Sequence, residues 1–224
     1  MTPSSSARLL QGTAILLTLL LSGCASMSKG QEGAAVGGAA GAVLGGIIGT
    51  QTGSTARGAI IGAAVGGAAG AVIGKRMDEQ AEVLEEELPG AEVERVGEGI
   101  QVTFDSGILF DFDSYALRPE AREHLTNLAA SLNEYPDSEL LIVGHTDSSG
   151  ADDYNQTLSE RRADAAGSFL IRGGVLPSRV RTTGMGETEP VAPNDTEDGM
   201  QQNRRVEVAI FASEEYRKKA GGGS

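Results

Sequence analysis

The stretch GHTDSSGADDYNQTLSERRAD, residues 144–164, decides the reading of this chain. It follows an apolar run, Leu140-Leu141-Ile142-Val143, with the length of a buried strand. Asp147 falls just past that run, in a turn ending at Gly150. Residues 152–172 read as a helix that stops at Gly173-Gly174. On this helix Leu158, Ala165, Ala166 and Phe169 share one face. Arg162 lies in the middle of that face, roughly 40° from Leu158 at the helical pitch. A guanidinium in an apolar stripe needs a partner, because an unpaired buried charge is costly. An acid and a base are thus placed together at the end of a strand. An internal Asp147–Arg162 ion pair would satisfy both residues, and spacing alone leaves that reading beside a functional one.

Working outward, elements alternate on both sides. Residues 93–96 and 100–104 read as paired strands around the turn Gly97-Glu98-Gly99. A loop, Phe110-Asp111-Phe112-Asp113-Ser114, precedes Pro119, a favoured first helical residue. That helix runs to about residue 134, with Ala121, Leu125, Leu128 and Leu132 inward, and Tyr135-Pro136 stops it. Residues 179–183 form a strand, parallel to 140–143 through a right-handed crossover. A long loop with Pro190 and Pro193 leads to a last strand, 205–211, where Val206, Val208 and Ile210 alternate with Glu207 and Ala209. The expected fold class is α+β: a two-layer sandwich, with helices on one face of a mixed sheet. Ligands of such sheets lie beyond the carboxyl ends of parallel strands, which is where Asp147 sits.

Several motifs occur in a fixed order: GHTDSSG, then LSERRAD, then GVLPSRVRTTGMGETEPVAPNDT, then QNRRVEV. Over residues 98–212 this resembles the OmpA-like peptidoglycan-binding domain. The resemblance implies non-covalent binding of meso-diaminopimelate in the peptidoglycan stem peptide. Asp147 would take the ligand ammonium and Arg162 a ligand carboxylate. The residue types agree: a carboxylate accepts from an ammonium, and the guanidinium fork matches a carboxylate bidentately. The resemblance further implies Asp113, Thr146, Asn155 and Arg204 as walls of the site. Two positions depart from the pattern. Asp113 stands where relatives carry Asn, adding negative charge. Met200 stands in Gly199-Met200-Gln201-Gln202-Asn203, where many relatives read Gly-Arg.

The N-terminal part has a different character. Residues 1–23 read as a secretory signal, with Arg8 in the charged region and an apolar core at 14–21 too short to span a bilayer. It ends in Leu21-Ser22-Gly23-Cys24, which resembles the lipoprotein cleavage site, so Cys24 is the expected lipidation residue. Acyl chains anchor through buried methylenes at about 0.8 kcal/mol each. Ala25, in place of an Asp, favours the outer membrane under that family's sorting rule. Residues 24–32 form a polar tether. The segment GAAVGGAAGAV at 33–43 recurs identically at 62–72, and Gly falls at every fourth position through 33–49 and 58–74. That spacing aligns the glycines on one helix face and lets another backbone approach. It resembles the glycine-zipper region of some OmpA-family lipoproteins. A helical hairpin is expected over 33–76, turning at 50–57. A membrane-associated, self-associating hairpin, a soluble hairpin and a flexible linker remain open. Residues 77–90 read as an acidic, solvated spacer helix. The wall-binding domain is expected over 91–212, and 213–224 reads as a disordered tail.

Composition narrows the function classes. The chain has 224 residues, a formal net charge of -13 and a single Cys, so no intramolecular disulfide is possible. A chain this acidic, without a basic stripe, is a poor nucleic-acid binder. Two His, at 124 and 145, are few for a metal site, and Asp111 begins no EF-hand spacing. His145, Asp147 and Ser148 are nearly adjacent and lack a nucleophile elbow, so a catalytic triad is not expected. The glycine segment lacks the Gly-Lys-Ser/Thr ending of a phosphate loop. No enzyme activity, cofactor or metal is expected. The function expected is tethering of outer membrane to wall by a lipid-anchored protein with its C-terminal domain in the periplasm. The expected partners are peptidoglycan and outer-membrane lipid, with a homo-oligomer through the zipper left open. The alternative is a membrane-active or pore-forming oligomer in which the wall domain only localises the zipper; a wall hydrolase has little support.

Overall fold

A computed structural model describes residues 53–222. The readings on residues 1–52, among them the signal segment, Cys24 and the first glycine repeat, lie outside the described residues.

The described chain opens with two helices, α1 (Thr55–Ala63) and α2 (Gly67–Glu87). Between them Gly66 and Gly67 have φ of 69° and 62°. Glycine reaches that region at no steric cost, so the chain turns a corner here. The single helical arm expected across 58–74 is therefore two helices. The second correction concerns α2, which runs through the boundary drawn between zipper and spacer at residue 76. Its buried residues Ile73, Met77, Gln80, Ala81 and Leu84 recur every three or four positions, and Leu88 follows at its end. They face one side and join the main core. The spacer reading fails because Leu84 and Leu88 end a stripe that begins at Ile73, upstream of the acidic run. Buried Gln80 donates through Nε2 to Ser131 Oγ at 3.3 Å.

Five strands follow: β1 (Ala91–Val96), β2 (Gly99–Asp105), β3 (Ser138–Gly144), β4 (Val180–Gly184) and β5 (Arg205–Ala212). Their order is β1-β2-β5-β3-β4, with β3 and β4 parallel and the other neighbours antiparallel. The mixed sheet matches the sequence reading, including the parallel crossover. A short α3 (Ser106–Leu109) follows β2, α4 (Pro119–Glu134) precedes β3, α5 (Asp152–Arg172) joins β3 to β4, and α6 (Glu197–Asn203) precedes β5. On β5 the alternation sorts side chains between layers. Val206, Val208 and Ile210 point into the core under α2, α4 and α5, while Ala209 and Phe211 face the other side.

That other side is covered, which corrects the expectation of helices on one face only. Ala56, Ala59, Ile60 and Ala63 of α1 pack on Val143, Ala209 and Phe211. Small residues make the close approach possible: a Cβ on Gly99 of β2 would lie 2.6 Å from Ile60 Cγ2. The tail expected to be disordered forms α7 (Glu214–Ala220). The hydroxyl of Ser213 caps it by accepting from the Tyr216 N–H at 3.2 Å. Glu214 and Glu215 start it and Arg217, Lys218 and Lys219 end it, the arrangement the helix dipole favours. Tyr216 and Ala220 pack against the main core.

Candidate functional site

The carboxyl end of β3 and the first turns of α5 meet through glycine. Gly144 and Gly184 are register partners on β3 and β4. A Cβ on Gly144 would sit 2.2 Å from the Ser159 carbonyl oxygen, and one on Gly184 would sit 2.4 Å from the Glu160 nitrogen. The backbone of α5 thus lies directly on the strand ends. Ser159, fully buried, donates to the Gln156 carbonyl at 2.8 Å and accepts from the Gly186 N–H at 2.9 Å. This contact fixes where Arg162, one turn further along α5, stands relative to Asp147.

Both residues are buried, at 6% and 5% exposure, and both line a cleft of about 450 Å³. They are not paired with each other. Asp147 Oδ1 accepts from the Ser149 N–H at 2.8 Å, and Oδ2 accepts from Arg204 Nη1. Arg204 also donates to Glu197 Oε1 at 2.9 Å and to Gln201. Arg162 donates through Nε to the Ser114 carbonyl at 2.9 Å and lies 5.4 Å over the Phe110 ring. Among the described residues its Nη atoms have no hydrogen-bond partner. The internal ion pair that spacing left open is therefore made by Arg204 instead, and Arg162 keeps its bidentate end for something else.

Electrostatics follow from these contacts. Burial pushes the Asp147 carboxyl up, but hydrogen bonds from Arg204 and Ser149 outweigh it, and its pKa falls below the ordinary value. Burial lowers the pKa of Arg162, opposed by Tyr154, Asp113 and Asp147. At Arg204 burial also lowers, but the bonds to Asp147 and Glu197 win and raise it.

The other expected residues are brought to the same place. Asn155, 2% exposed, donates from Nδ2 to the Asp147 carbonyl at 3.3 Å and to Glu187 Oε2 at 2.6 Å. Thr146 is tied by its N–H to the Gly186 carbonyl at 2.8 Å, while its buried hydroxyl in the cleft wall has no partner among the described residues. Asp113 takes φ of 55°, a left-handed conformation uncommon for a side-chain-bearing residue, and accepts from the Tyr154 hydroxyl. Met200 lines the cleft, with the Ser149 hydroxyl 3.6 Å from its sulfur. Sequence reasoning missed Ser106, Tyr154, Glu197 and Gln201, which also line it. Tyr154 and Gln201 were within reach, one position from Asn155 and one from the QNRRVEV motif, but Ser106 and Glu197 come from segments with no motif of their own. His145 faces away from the cleft. Its Nε2 is 3.8 Å from Glu207, neither ring nitrogen is hydrogen-bonded among the described residues, and burial, then Arg205, lowers its pKa well below the ordinary value. It makes no bond to Asp147 or Ser148 among the described residues. No group of ligating side chains among the described residues could hold a metal ion, and no described helix is long and apolar enough to cross a membrane.

Comparison with known proteins bears on this cleft. A family model described as the OmpA family matches residues 109–204, and one described as a YMGG-like Gly-zipper matches residues 7–78. The chain is 40% identical over 136 residues to a probable lipoprotein YiaD of Escherichia coli (strain K12), covering 60% of this chain and 62% of that protein. It therefore spans only 62% of that relative's length. It is 37% identical over 121 residues to a peptidoglycan-associated lipoprotein of Brucella melitensis biotype 1, covering 54% of this chain and 72% of that protein. Among solved structures, the cell wall anchor of the T6SS from Pseudomonas aeruginosa superposes with a TM-score of 0.55 at 29% identity, covering 60% of this chain and 97% of that one.

Proposed function

The chain belongs to the OmpA family, and from that premise we propose that its cleft binds peptidoglycan non-covalently, through the zwitterionic end of meso-diaminopimelate. One observation carries the reading. A buried carboxylate and a buried guanidinium, Asp147 and Arg162, line one cleft without neutralising each other. An ionised carboxylate offers about four acceptor positions. Arg204 and Ser149 use two on Asp147, so a ligand ammonium has acceptors left. The Arg162 fork is unfilled and suits a carboxylate. Asn155 holds the turn that presents Asp147, the Thr146 hydroxyl supplies a further polar contact, and Asp113, whose charge acts on Arg162, favours a ligand ammonium and disfavours a ligand carboxylate. The name of the Brucella relative and the anchoring role of the solved Pseudomonas protein support the same reading.

In this reading acyl chains on Cys24 hold the protein in the outer membrane and the cleft holds the wall from the periplasm. Two anchors on one chain raise each other's effective concentration, so a weak wall contact suffices. Residues 55–63, which the pore-forming alternative assigns to a membrane hairpin, are packed on the sheet.

The test is co-sedimentation of the full chain with purified diaminopimelate-type peptidoglycan, beside Asp147→Asn and Arg162→Ala. Both substitutions are expected to abolish binding. Lysine-type peptidoglycan, which lacks the second carboxylate for Arg162, is expected to bind weakly. Folded variants that bind like the wild type would place the site elsewhere.

A further inference from the structure

We propose that Ser54 and Thr55, at the start of α1, are positioning residues for the wall-binding cleft, so that docking of α1 on the sheet sets the affinity for the wall. The inference rests on the wall-binding reading and concerns its regulation.

The observations are contacts on the sheet face opposite the main core. Ser54 donates from Oγ to Glu207 Oε2 at 2.8 Å. Glu207 is 1% exposed and also accepts from Arg205 Nε at 2.7 Å. Thr55 grips Glu189 with two donors, its N–H at 3.0 Å and its hydroxyl at 2.6 Å. The Glu189 carbonyl in turn accepts from Arg205 Nη2 at 3.2 Å. Ser54 and the first residue of α1 thus close a partly buried polar cluster built on β5 and on the loop after β4.

Arg205 and Glu189 link that cluster to the cleft. Arg205 follows Arg204, which holds Asp147. The His145 N–H donates to the Arg205 carbonyl at 3.0 Å, and His145 precedes Thr146 and Asp147. Glu189 lies two residues beyond Glu187, which accepts from Asn155, and three beyond Gly186, whose carbonyl holds the Thr146 N–H. Further along the same loop Val191 and Ala192 donate to Asn203 Oδ1 at 2.8 and 3.0 Å, beside Arg204. One face of this loop serves the cleft and the other serves α1. Lifting Ser54 and Thr55 takes one donor from buried Glu207 and two from half-buried Glu189. Glu207 above all then needs a new partner, because an under-satisfied carboxylate in the interior is costly. The adjustment available is movement of the loop and of the start of β5, both of which carry cleft contacts. A pull on the chain upstream of residue 53, or its transfer to another surface, would therefore reach Asp147.

The experiment uses the full chain and diaminopimelate-type peptidoglycan as the probe. Thr55→Val removes the hydroxyl while keeping shape and N–H. Glu189→Gln removes the accepting charge, and Thr55→Ser restores the donor. The expected result is wall affinity weakened on the order of tenfold in Thr55→Val and Glu189→Gln, within the ordinary range of coupling between sites. Hydrogen exchange in residues 185–196 rises in parallel, and both readouts return in Thr55→Ser. A double variant no weaker than either single one supports a shared contact. Wild-type affinity in both folded single variants overturns the inference, whether or not exchange rises. Should wild-type protein fail to bind, with Arg162→Ala indistinguishable from it, the wall-binding reading falls and this inference with it. Binding lost in Arg162→Ala but untouched in Thr55→Val and Glu189→Gln sinks this inference alone.

Discussion

Gly144→Ala tests how α5 is placed. The added Cβ would sit 2.2 Å from the Ser159 carbonyl oxygen and 2.9 Å from its carbon. Ordinary contact begins at 3.4 Å, so something must give by about 1.2 Å, the difference between 3.4 and 2.2. The obstacle is helix backbone, which cannot swing aside as a side-chain tip can. Overpacking of this kind costs about 1–3 kcal/mol. In a chain of this size each kcal/mol lowers the Tm by roughly 2–4 °C, so a fall of about 2–12 °C is expected. Arg162 rides on α5 and moves away from Asp147 with it. Losing one hydrogen bond to a charged group costs about 1.5–3 kcal/mol, or about ten- to a hundredfold in affinity. Thermal unfolding by circular dichroism and a sedimentation isotherm on peptidoglycan give the two numbers. Gly184→Ala pushes on the same helix from β4 and should act in the same direction. A Gly144→Ala protein with wild-type Tm and wild-type wall affinity would refute the argument that the glycine contact sets the cleft.

Two further outcomes follow from other parts of the molecule. The Asp147 pKa is depressed, so its ionised form contributes fully above the ordinary carboxylate value and is lost as pH falls through the folded pKa. Wall affinity should then be flat between about pH 5 and 8 and fall only in the acidic carboxylate range; a midpoint near neutrality in a binding titration would contradict this. Leu84 of α2 is fully buried, so Leu84→Ala should cost about 2–5 kcal/mol in denaturant unfolding, and a fragment starting at residue 91 should be weaker still. Unfolding at the wild-type midpoint in either would return α2 to the role of a solvated spacer.

The strands, the parallel crossover and the long helices were legible because their apolar periods are strong and their ends carry Pro or Gly. Asp147 and Arg162 could be placed in one region from a strand end and a helical phase. Their true partners could not. Arg204 reaches Asp147 across 57 positions of sequence, and no local pattern encodes that. The inward face of α5 was also read slightly off. Ser159, Ala163, Ala166 and Leu170 are buried, while Leu158, Ala165 and Phe169 are only partly so. Arg162 stands at the seam between these sets, where the cleft begins. For α2 the signal was present but divided: a boundary drawn at the last basic residue split one stripe of period 3.6 into two weak halves. The α7 signal, a Ser cap with acids first and bases last, was passed over for the glycines that follow it. The docking of α1 had no sequence signature distinct from the glycine repeat, because small residues suit a close approach to a sheet as well as to a helix.

The sheet ends in β1 on one side and β4 on the other. An open edge exposes unpaired N–H and C=O groups, and a second molecule can add a strand there. β1 carries Glu92, Glu94 and Arg95 in six residues, and β4 carries Arg181. Charges at these positions oppose a parallel, in-register pairing of identical edges, in which each charge would meet its own copy. A molecule that adds a strand at β1 or β4 has to bring charges that complement these.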